Sequence, residues 1–260
     1  MTEIRKLQPK YKITMKKLFF SLFIILPFLS EAQINPSGEK ITYKILKDGS
    51  DVAEFTLQVD NQTVTLNNQT CYKITAIGKI TAALGIVNFD NKVTSWIDSK
   101  KLRPQKLHAF VDDGKNKTNF ITEYNHKLGK AVSYTLERPS EKKTTNFSSE
   151  TEDGFSAFYK LRQVDFKNLK INDIVSIQII AEPEKTETIK LKYMGKKSMS
   201  IYNGTKECYI LGVVAPVVEQ VETSSIRIAV TADSDQLPVK MYARTSKGFV
   251  MVETKSFSKR

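Results

Sequence analysis

Histidine and cysteine are scarce in this 260-residue chain, which contains only two of each. A hydrolase needs a nucleophile beside a base, and a zinc site needs several His, Cys or acidic ligands close together. His108 falls on a predicted strand and His126 in a predicted turn, while Cys71 and Cys208 are isolated from each other in sequence. The sequence therefore predicts no catalytic residue, no metal ligand and no bound cofactor, and it leaves the ligand-binding residues unknown.

Motifs that bind nucleotides or activate a serine are also missing. There is no phosphate-binding loop and no dinucleotide fingerprint, and Gly154–Phe158 (GFSAF) is not the G-x-S-x-G elbow of serine hydrolases. Acidic residues do occur close together, in Asp112–Asp113 and in Glu150–Asp153, but both groups fall in predicted turns, where acids are common. Carbohydrate hydrolysis by paired carboxylates is therefore the least favoured function.

Negative charge is in deficit, because 40 Lys and Arg residues face 28 Asp and Glu residues, for a net charge of +12. The lysines alternate with apolar residues along strand-like runs such as Lys190–Tyr193 (KLKY), which is typical of a solvated sheet face. No arginine-rich cluster or nucleic-acid motif is present, so we predict no nucleic-acid partner. The basic surface favours solubility, with an anionic envelope surface as the alternative partner.

The two cysteines leave two alternatives open. In an oxidising compartment, Cys71 and Cys208 could pair as a disulfide, although spacing alone does not establish connectivity. Alternatively, both are buried free thiols, since cysteine behaves as a small hydrophobic side chain.

Long apolar runs are confined to one segment near the N-terminus. Lysines following Met15 precede the apolar run Leu18–Leu29, and Ser30–Ala32 then places small residues three apart, as in a cleavable secretory signal. Twelve residues at about 1.5 Å each span roughly 18 Å, too little for a bilayer core of about 30 Å. We therefore predict that Met15 is the true start, that 1–32 is an N-terminal extension with a cleaved signal, and that no membrane span follows. The predicted location is periplasmic or otherwise extracytoplasmic.

Alternation of apolar and polar residues dominates the remaining chain, 33–260, and predicts an all-β fold. The period changes once, after Asp153, where aromatic residues at helical spacing predict one short helix over 154–164 with Asp153 as its N-cap. The polar segments 138–150 and 181–185 are predicted loops. The predicted strands are 40–46, 52–59, 64–66, 71–77, 87–97, 106–111, 117–124, 130–137, 174–180, 186–194, 198–202, 208–214, 225–232, 238–243 and 249–257.

The second half of the chain repeats features of the first at an offset near 135 residues. Cys-Tyr pairs follow Asn-rich turns at Asn67–Tyr72 and Asn203–Tyr209, and turns with Asp, Leu and Pro in that order occur at Asp98–Pro104 and Asp233–Pro238. Either a duplication or convergent hairpin chemistry explains these matches. We predict two related halves, about 37–137 and 170–258, joined by a polar loop and the helix. Their similar curved antiparallel sheets would form a sandwich-like or open-barrel single domain.

The order and spacing of several segments resemble the exported bacterial family called domain of unknown function 3108. The resemblance implies an all-β, strongly curved antiparallel architecture and an envelope location, and it supplies no activity or catalytic residue. The chain departs from the family pattern in its polar segment 138–150, and in Asn172, which stands where the family has glycine; asparagine also adopts positive φ, so the turn is expected to persist. The segments that carry the resemblance are Gly38–Tyr43, Ser95–Asp98, Leu102–Pro104, Asp153–Leu161, Ile171–Asp173, Asn203–Thr205 with Cys208, and Asp233–Val239.

These observations favour a non-enzymatic envelope protein that binds a hydrophobic or amphipathic ligand such as a lipid. A structural or assembly factor that binds another envelope protein is the first alternative, and a carbohydrate-active hydrolase the second. The sequence does not indicate an oligomeric state.

Overall fold

The computed structural model describes residues 34–80, 89–112, 117–182, 185–214, 226–245 and 248–259. The predicted signal segment 1–32 lies outside these residues, as does Asp113. Sixteen strands and one helix, α1 (Gly154–Arg162), are described. The strands are β1 (Lys40–Lys47), β2 (Ser50–Val59), β3 (Val64–Leu66), β4 (Gln69–Ile80), β5 (Phe89–Asp98), β6 (Pro104–Asp112), β7 (Lys117–Asn125), β8 (Lys130–Thr135), β9 (Arg138–Asn146), β10 (Thr151–Glu152), β11 (Ile174–Glu182), β12 (Lys185–Ile201), β13 (Gly204–Val213), β14 (Arg227–Thr231), β15 (Pro238–Thr245) and β16 (Gly248–Ser258).

The described strands form one curved, open sheet in the order β10-β11-β12-β13-β14-β15-β16-β1-β2-β4-β5-β6-β7-β8-β9, with β3 paired to β4. Neighbouring strands are antiparallel except β10 and β11, which run parallel. The first and last strands of the described domain, β1 and β16, pair side by side and thereby join its two halves. The predicted fold class, all-β with one short helix and an open-barrel character, is confirmed.

Turn chemistry places several hairpins as predicted. Asn67 and Asn68 adopt φ of 51° and 61°, which is the left-handed geometry of a tight hairpin between β3 and β4. Asn172 has a φ of 79°, so asparagine does adopt the positive φ expected where the family has glycine. Its backbone N–H donates to the Tyr193 carbonyl over 2.8 Å, which fixes the entry to β11 against β12.

Two predicted loops were wrong. Segment 138–150 contains β9, which pairs with β8 from Lys130 opposite Asn146 to Thr135 opposite Arg138. All of β9 except Thr145 is solvent-exposed, so this edge strand lacks the buried face that would have produced alternation. In segment 181–185, the described residues 181, 182 and 185 form the end of β11 and the start of β12. The predicted strands 186–194 and 198–202 are one strand, β12, interrupted only by a register shift between Tyr193 and Lys196.

Helix α1 begins where predicted and ends at Arg162, two residues early. The Asp153 carboxylate accepts hydrogen bonds from the Phe155 and Ser156 amides, and the Ser156 hydroxyl accepts one from the Asp153 amide, which completes a capping box. The predicted N-cap is therefore confirmed. Among the described residues, no helix is long and apolar enough to cross a membrane.

The helix is the packing partner of the sheet. Leu161 belongs to a core cluster built mainly on β11–β14, and Tyr159 to one built on β2, β4 and β5. Phe155 and Phe158 pack against this second cluster and against a third one around β1, β14 and β15. Because a single open sheet has no second sheet to cover its apolar face, the helix buries that surface instead.

The two halves share a succession of antiparallel hairpins, yet they differ in detail. Asp98 lies opposite Cys71 on β4, and its carboxylate accepts from the Arg103 amide over 3.2 Å. In the second half, Thr231 lies opposite Cys208, and its hydroxyl accepts from the Leu237 amide over 2.9 Å. Sequence similarity aligns Asp98 with Asp233, whereas strand register makes Thr231 the structural counterpart of Asp98. The duplication stays a prediction.

Candidate functional site

The two histidines are engaged with separate neighbours. His108 Nε2 lies 2.5 Å from Asn119 Oδ1, and His126 Nε2 lies 2.6 Å from the Pro104 carbonyl oxygen. Burial lowers the pKa of His126. Within the part of the chain that the structure describes, no three His, Cys, Asp or Glu side chains are grouped so as to hold a metal ion.

The acids considered for hydrolysis lie in unlike environments. The Asp112 carboxylate, 18% exposed, is 3.2 Å from Nζ of Lys117, the residue opposite it on β7. Glu152 and Asp153 are 2% and 1% exposed, so the sequence-based assignment of these two acids to an ordinary turn was wrong. Burial raises the pKa of Glu152 to about 7 and that of Asp153 above its usual value. Asp153 caps α1, Glu152 directly precedes it in β10, and Ser95 Oγ donates to Asp153 over 2.5 Å.

Both cysteines are buried free thiols, which is one of the two alternatives that the sequence left open. Each thiol lies near the carbonyl of the residue two positions earlier, Gln69 for Cys71 and Lys206 for Cys208. Burial raises the pKa of Cys71 to about 11 and that of Cys208 above its usual value. Because the thiolate is the reactive form, neither cysteine is suited to nucleophilic chemistry.

A cavity of about 1000 Å³ is the strongest candidate for a binding site. Its walls come from β1, β2, β4, the end of β12, β15 and β16. In the strand order, β12 and β2 are separated by β13 to β16 and β1, so the curvature of the sheet brings them to one cavity. The lining residues are Lys40, Lys44, Asp51, Val52, Ala53, Glu54, Phe55, Thr56, Gln58, Ile77, Ser200, Ile201, Tyr202, Lys240, Glu253, Thr254 and Lys255.

A ladder of alternating charges crosses the cavity wall. Strand register places Glu54, Lys44, Glu253 and Lys240 side by side on four neighbouring strands. The Glu253 carboxylate is 2.8 Å from Lys44 Nζ and 3.3 Å from Lys240 Nζ. Although burial alone would raise the pKa of Glu253, hydrogen bonds from these two lysines hold it below its usual value. The Glu253 carboxylate is therefore fully paired, and Lys44 and Lys240 share it.

Two lysines at the cavity differ from those of the ladder. Lys40 is exposed and has no ion-pair partner among the described residues. Lys255 pairs with Glu54 over 2.6 Å, but both side chains are about half exposed, at 57% and 46%. Exposed pairs of this kind contribute only about 0–1 kcal/mol. Lys40 and Lys255 are thus the cations that an incoming anion can engage at little cost.

Apolar side chains form another part of the cavity wall. Phe55 stacks on Tyr43 with ring centroids 5.0 Å apart, and Ile77 is 50% exposed. Ile201 and Tyr202 pack against the same core cluster as Phe55. The cavity therefore combines cationic and apolar surface. Alternation marked these residues only as strand positions, and no local signal indicated that β2 and β12 share one cavity.

Residues 40–255 match the sequence model of the family described as protein of unknown function DUF3108. The chain belongs to this family. The resemblance expected from the sequence is thereby confirmed. No curated protein sequence matches the chain significantly.

Solved structures are similar in fold at very low identity. A β-barrel-like protein of domain of unknown function DUF1849 from Brucella abortus has a TM-score of 0.54 at 8% identity, covering 85% of this chain and 97% of its own. A Bacteroides fragilis protein with a YmcC-like fold has a TM-score of 0.37 at 10% identity, covering 86% of this chain and 97% of its own. At 8% identity, the similarity to the Brucella protein concerns the fold alone.

Proposed function

We propose that this family member is a non-enzymatic, extracytoplasmic protein that binds an anionic amphipathic molecule of the cell envelope in the β1–β2–β12–β16 cavity. The observation that carries the proposal is that one cavity of about 1000 Å³ is lined both by the accessible lysines Lys40 and Lys255 and by apolar side chains. That volume is at the upper end of typical small-ligand pockets, which are lined by apolar groups with a few polar ones that orient the ligand.

The distribution of charge favours an anionic over a cationic ligand. Four lysines and three carboxylates line the cavity, and the Glu253 carboxylate is shared by two lysines. A ligand phosphate or carboxylate would bind Lys40 and Lys255, while its acyl chain would lie on Ile77, which strand register places on the same sheet face as Lys40. A charge-assisted hydrogen bond contributes about 1.5–3 kcal/mol, so each lysine contact is measurable.

Location outside the cytoplasm rests on the predicted signal over Met15 to Ala32. This segment lies outside the described residues. A cavity for envelope amphiphiles is coherent with that location, because the proposed ligands are membrane components.

The alternatives receive less support. An assembly factor could add a partner strand to the open edge at β9, but this edge contains Pro139, Lys142 and Lys143, features that discourage strand addition. A hydrolase would need its acids at an accessible site, whereas Glu152 and Asp153 are buried at the start of α1.

Native mass spectrometry of protein purified from its own envelope tests the proposal directly, and bound anionic lipid is expected. Calorimetric titration below the micelle concentration should then give tighter binding of lysophosphatidylglycerol than of lysophosphatidylcholine. Lys40→Glu is expected to weaken the anionic ligand about tenfold, from a lost charged contact. Ile77→Ser is expected to weaken both ligands about fivefold, from lost apolar burial.

Matched controls lie outside the cavity. Lys47→Glu changes another exposed lysine of β1, and Leu136→Ser changes an apolar side chain that is 44% exposed. Neither should alter binding of either lysolipid. Protein that is consistently empty and equal affinities for all four variants would sink the proposal.

A further inference from the structure

Exposed apolar side chains gather on one face of the β11–β13 region, away from the cavity-lining residues. Ile171 is 66% exposed, Ile174 48%, Met194 41% and Val214 49%. Isolated exposed apolar residues are ordinary, but a contiguous group marks an interaction surface. We name this surface the β11–β13 patch; it comprises these four residues with Lys170, Lys190 and Lys192.

Backbone pairing establishes that the patch is continuous. Ile174 lies directly opposite Lys192, two positions before Met194 on the same face of β12. Ile171 lies over the bulge of β12, since a Cβ built on Gly195 would be 3.6 Å from its Cδ1. The Val214 amide donates to the Lys190 carbonyl over 2.9 Å, so Val214 adjoins the other end. From Lys190 to Met194 the patch extends about 13 Å along β12.

Gly212 lets Met194 lie flat on the sheet. A Cβ at this position would be only 3.0 Å from Met194 Sδ and 3.5 Å from Arg227 Nη1. The missing side chain therefore makes room for Met194 and for the guanidinium beside it. The result is a shallow apolar surface with cations around it.

The patch has an excess of unpaired positive charge. Lys170, Lys190 and Lys192 have no ion-pair partner among the described residues. Across the strands, Lys190 faces Ser176 and Lys192 faces Ile174, so neither has an acid opposite. The nearby Asp173 accepts a hydrogen bond from the Lys170 amide over 2.8 Å, which occupies one of its oxygens locally.

We propose that the β11–β13 patch docks the protein on the surface of an anionic lipid bilayer. Its exposed apolar side chains would enter the boundary between headgroups and acyl chains, and its lysines would approach lipid phosphates. Charge complementarity decides for a bilayer over a protein, because protein interface cores are depleted in lysine, whereas lysine near an anionic leaflet adds to binding.

Vesicle flotation with the purified protein tests the inference. Phosphatidylglycerol vesicles should retain the protein, phosphatidylcholine vesicles should retain much less, and added salt should weaken retention. The double variant Ile171→Ser with Ile174→Ser is expected to bind phosphatidylglycerol vesicles roughly tenfold more weakly, through lost apolar insertion. Lys170→Glu with Lys190→Glu is expected to lose about fivefold per lysine.

The β7–β8 turn offers a matched control, because Lys127 and Leu128 are both exposed there, Leu128 at 68%. Lys127→Glu with Leu128→Ser should leave vesicle binding unchanged, and all variants should unfold at the same urea concentration as the parent. Equal vesicle binding by patch and control variants would overturn the inference. So would a photo-crosslinker at position 174 that captures only protein in cells.

Discussion

Both ends of helix α1 contain buried charged groups, but those groups are paired with opposite charges at one end only. At the C-terminal end, the Arg162 guanidinium donates to both Glu39 carboxylate oxygens, over 2.7 and 3.0 Å. The Tyr159 hydroxyl donates to the same carboxylate, and Lys259 Nζ lies 3.2 Å from it. At the N-terminal end, Glu152 and Asp153 are adjacent buried acids, and Glu152 Oε2 has no hydrogen-bond partner in the described structure.

This difference determines which end of α1 makes the stability of the fold depend on pH. The C-terminal end pairs its carboxylate with two cations, so its charges compensate one another. The N-terminal end brings two carboxyl groups together and has Lys160 as its nearby cation. Around it lie Tyr124, Glu150 and the hydroxyls of Ser95 and Ser156. We therefore expect the first end to set the stability of the helix docking and the second to make it depend on pH.

The largest effect is expected from Arg162→Met. Both Arg162 and Glu39 have side chains that are 0% exposed, so the substitution leaves a buried carboxylate with its main partner gone. Breaking one side of a buried pair costs about 3–5 kcal/mol. Urea unfolding at neutral pH should therefore show a loss of that size in the free energy of unfolding.

A double variant separates the pair from the packing. Replacing both groups, Arg162→Met with Glu39→Met, removes the uncompensated charge and should recover part of the lost stability. If the double variant were less stable than the sum of the single variants, compensation within the pair would not explain its burial.

Glu152→Gln should remove the loss of stability that the parent shows as pH rises from about 4.5 to about 7. Burial raises the pKa of Glu152 from 4.5 to about 7, so the folded protein holds a proton that the unfolded chain has released. This contribution is fully present below about pH 4.5 and is lost as pH rises toward 7, amounting to about 3 kcal/mol. The variant has no proton to lose, so we expect it to be more stable than the parent at pH 8.

Glu150→Gln is the matched control, because Glu150 is an exposed acid two residues earlier. Its urea midpoint should follow that of the parent between pH 5 and 8, in the range where the parent titrates. A Glu152→Gln variant that loses stability with rising pH as steeply as the parent would show that another group governs the titration.

The sequence predicted elements whose signals are local. Alternation located most strands, Asp153 marked the helix start, and Asn67 and Asn68 marked a hairpin, because each depends on residues within one turn or one strand. The edge strand β9 was missed, since an exposed strand with one neighbour buries neither face. The sequence also did not predict a single continuous sheet, because that sheet depends on the pairing of β1 with β16, which are far apart in sequence.

The candidate site was less predictable than the fold. Lys40 and Lys44 stand at alternating positions and were recognisable as one strand face, but the cavity needs β2 and β12 brought together by sheet curvature. Likewise, Glu152 looked like an ordinary turn acid, because burial of a carboxyl group arises from the distant elements packed on it. No feature of the sequence near Arg162 indicated that Glu39, more than one hundred positions earlier, would be its partner.

The smallest of the three effects on stability is expected from Ser95→Ala, which tests how the N-terminal end of α1 is tied to β5. Ser95 is 0% exposed and its hydroxyl donates to the Asp153 carboxylate over 2.5 Å, a contact between residues far apart in sequence. Hydrogen bonds to charged groups contribute about 1.5–3 kcal/mol, and the lower value is expected because the pKa of Asp153 is raised. The unfolding free energy measures this loss. In an Asp153→Asn background the same change should cost less, since the acceptor is no longer ionisable; an undiminished cost would assign the role of Ser95 to packing alone.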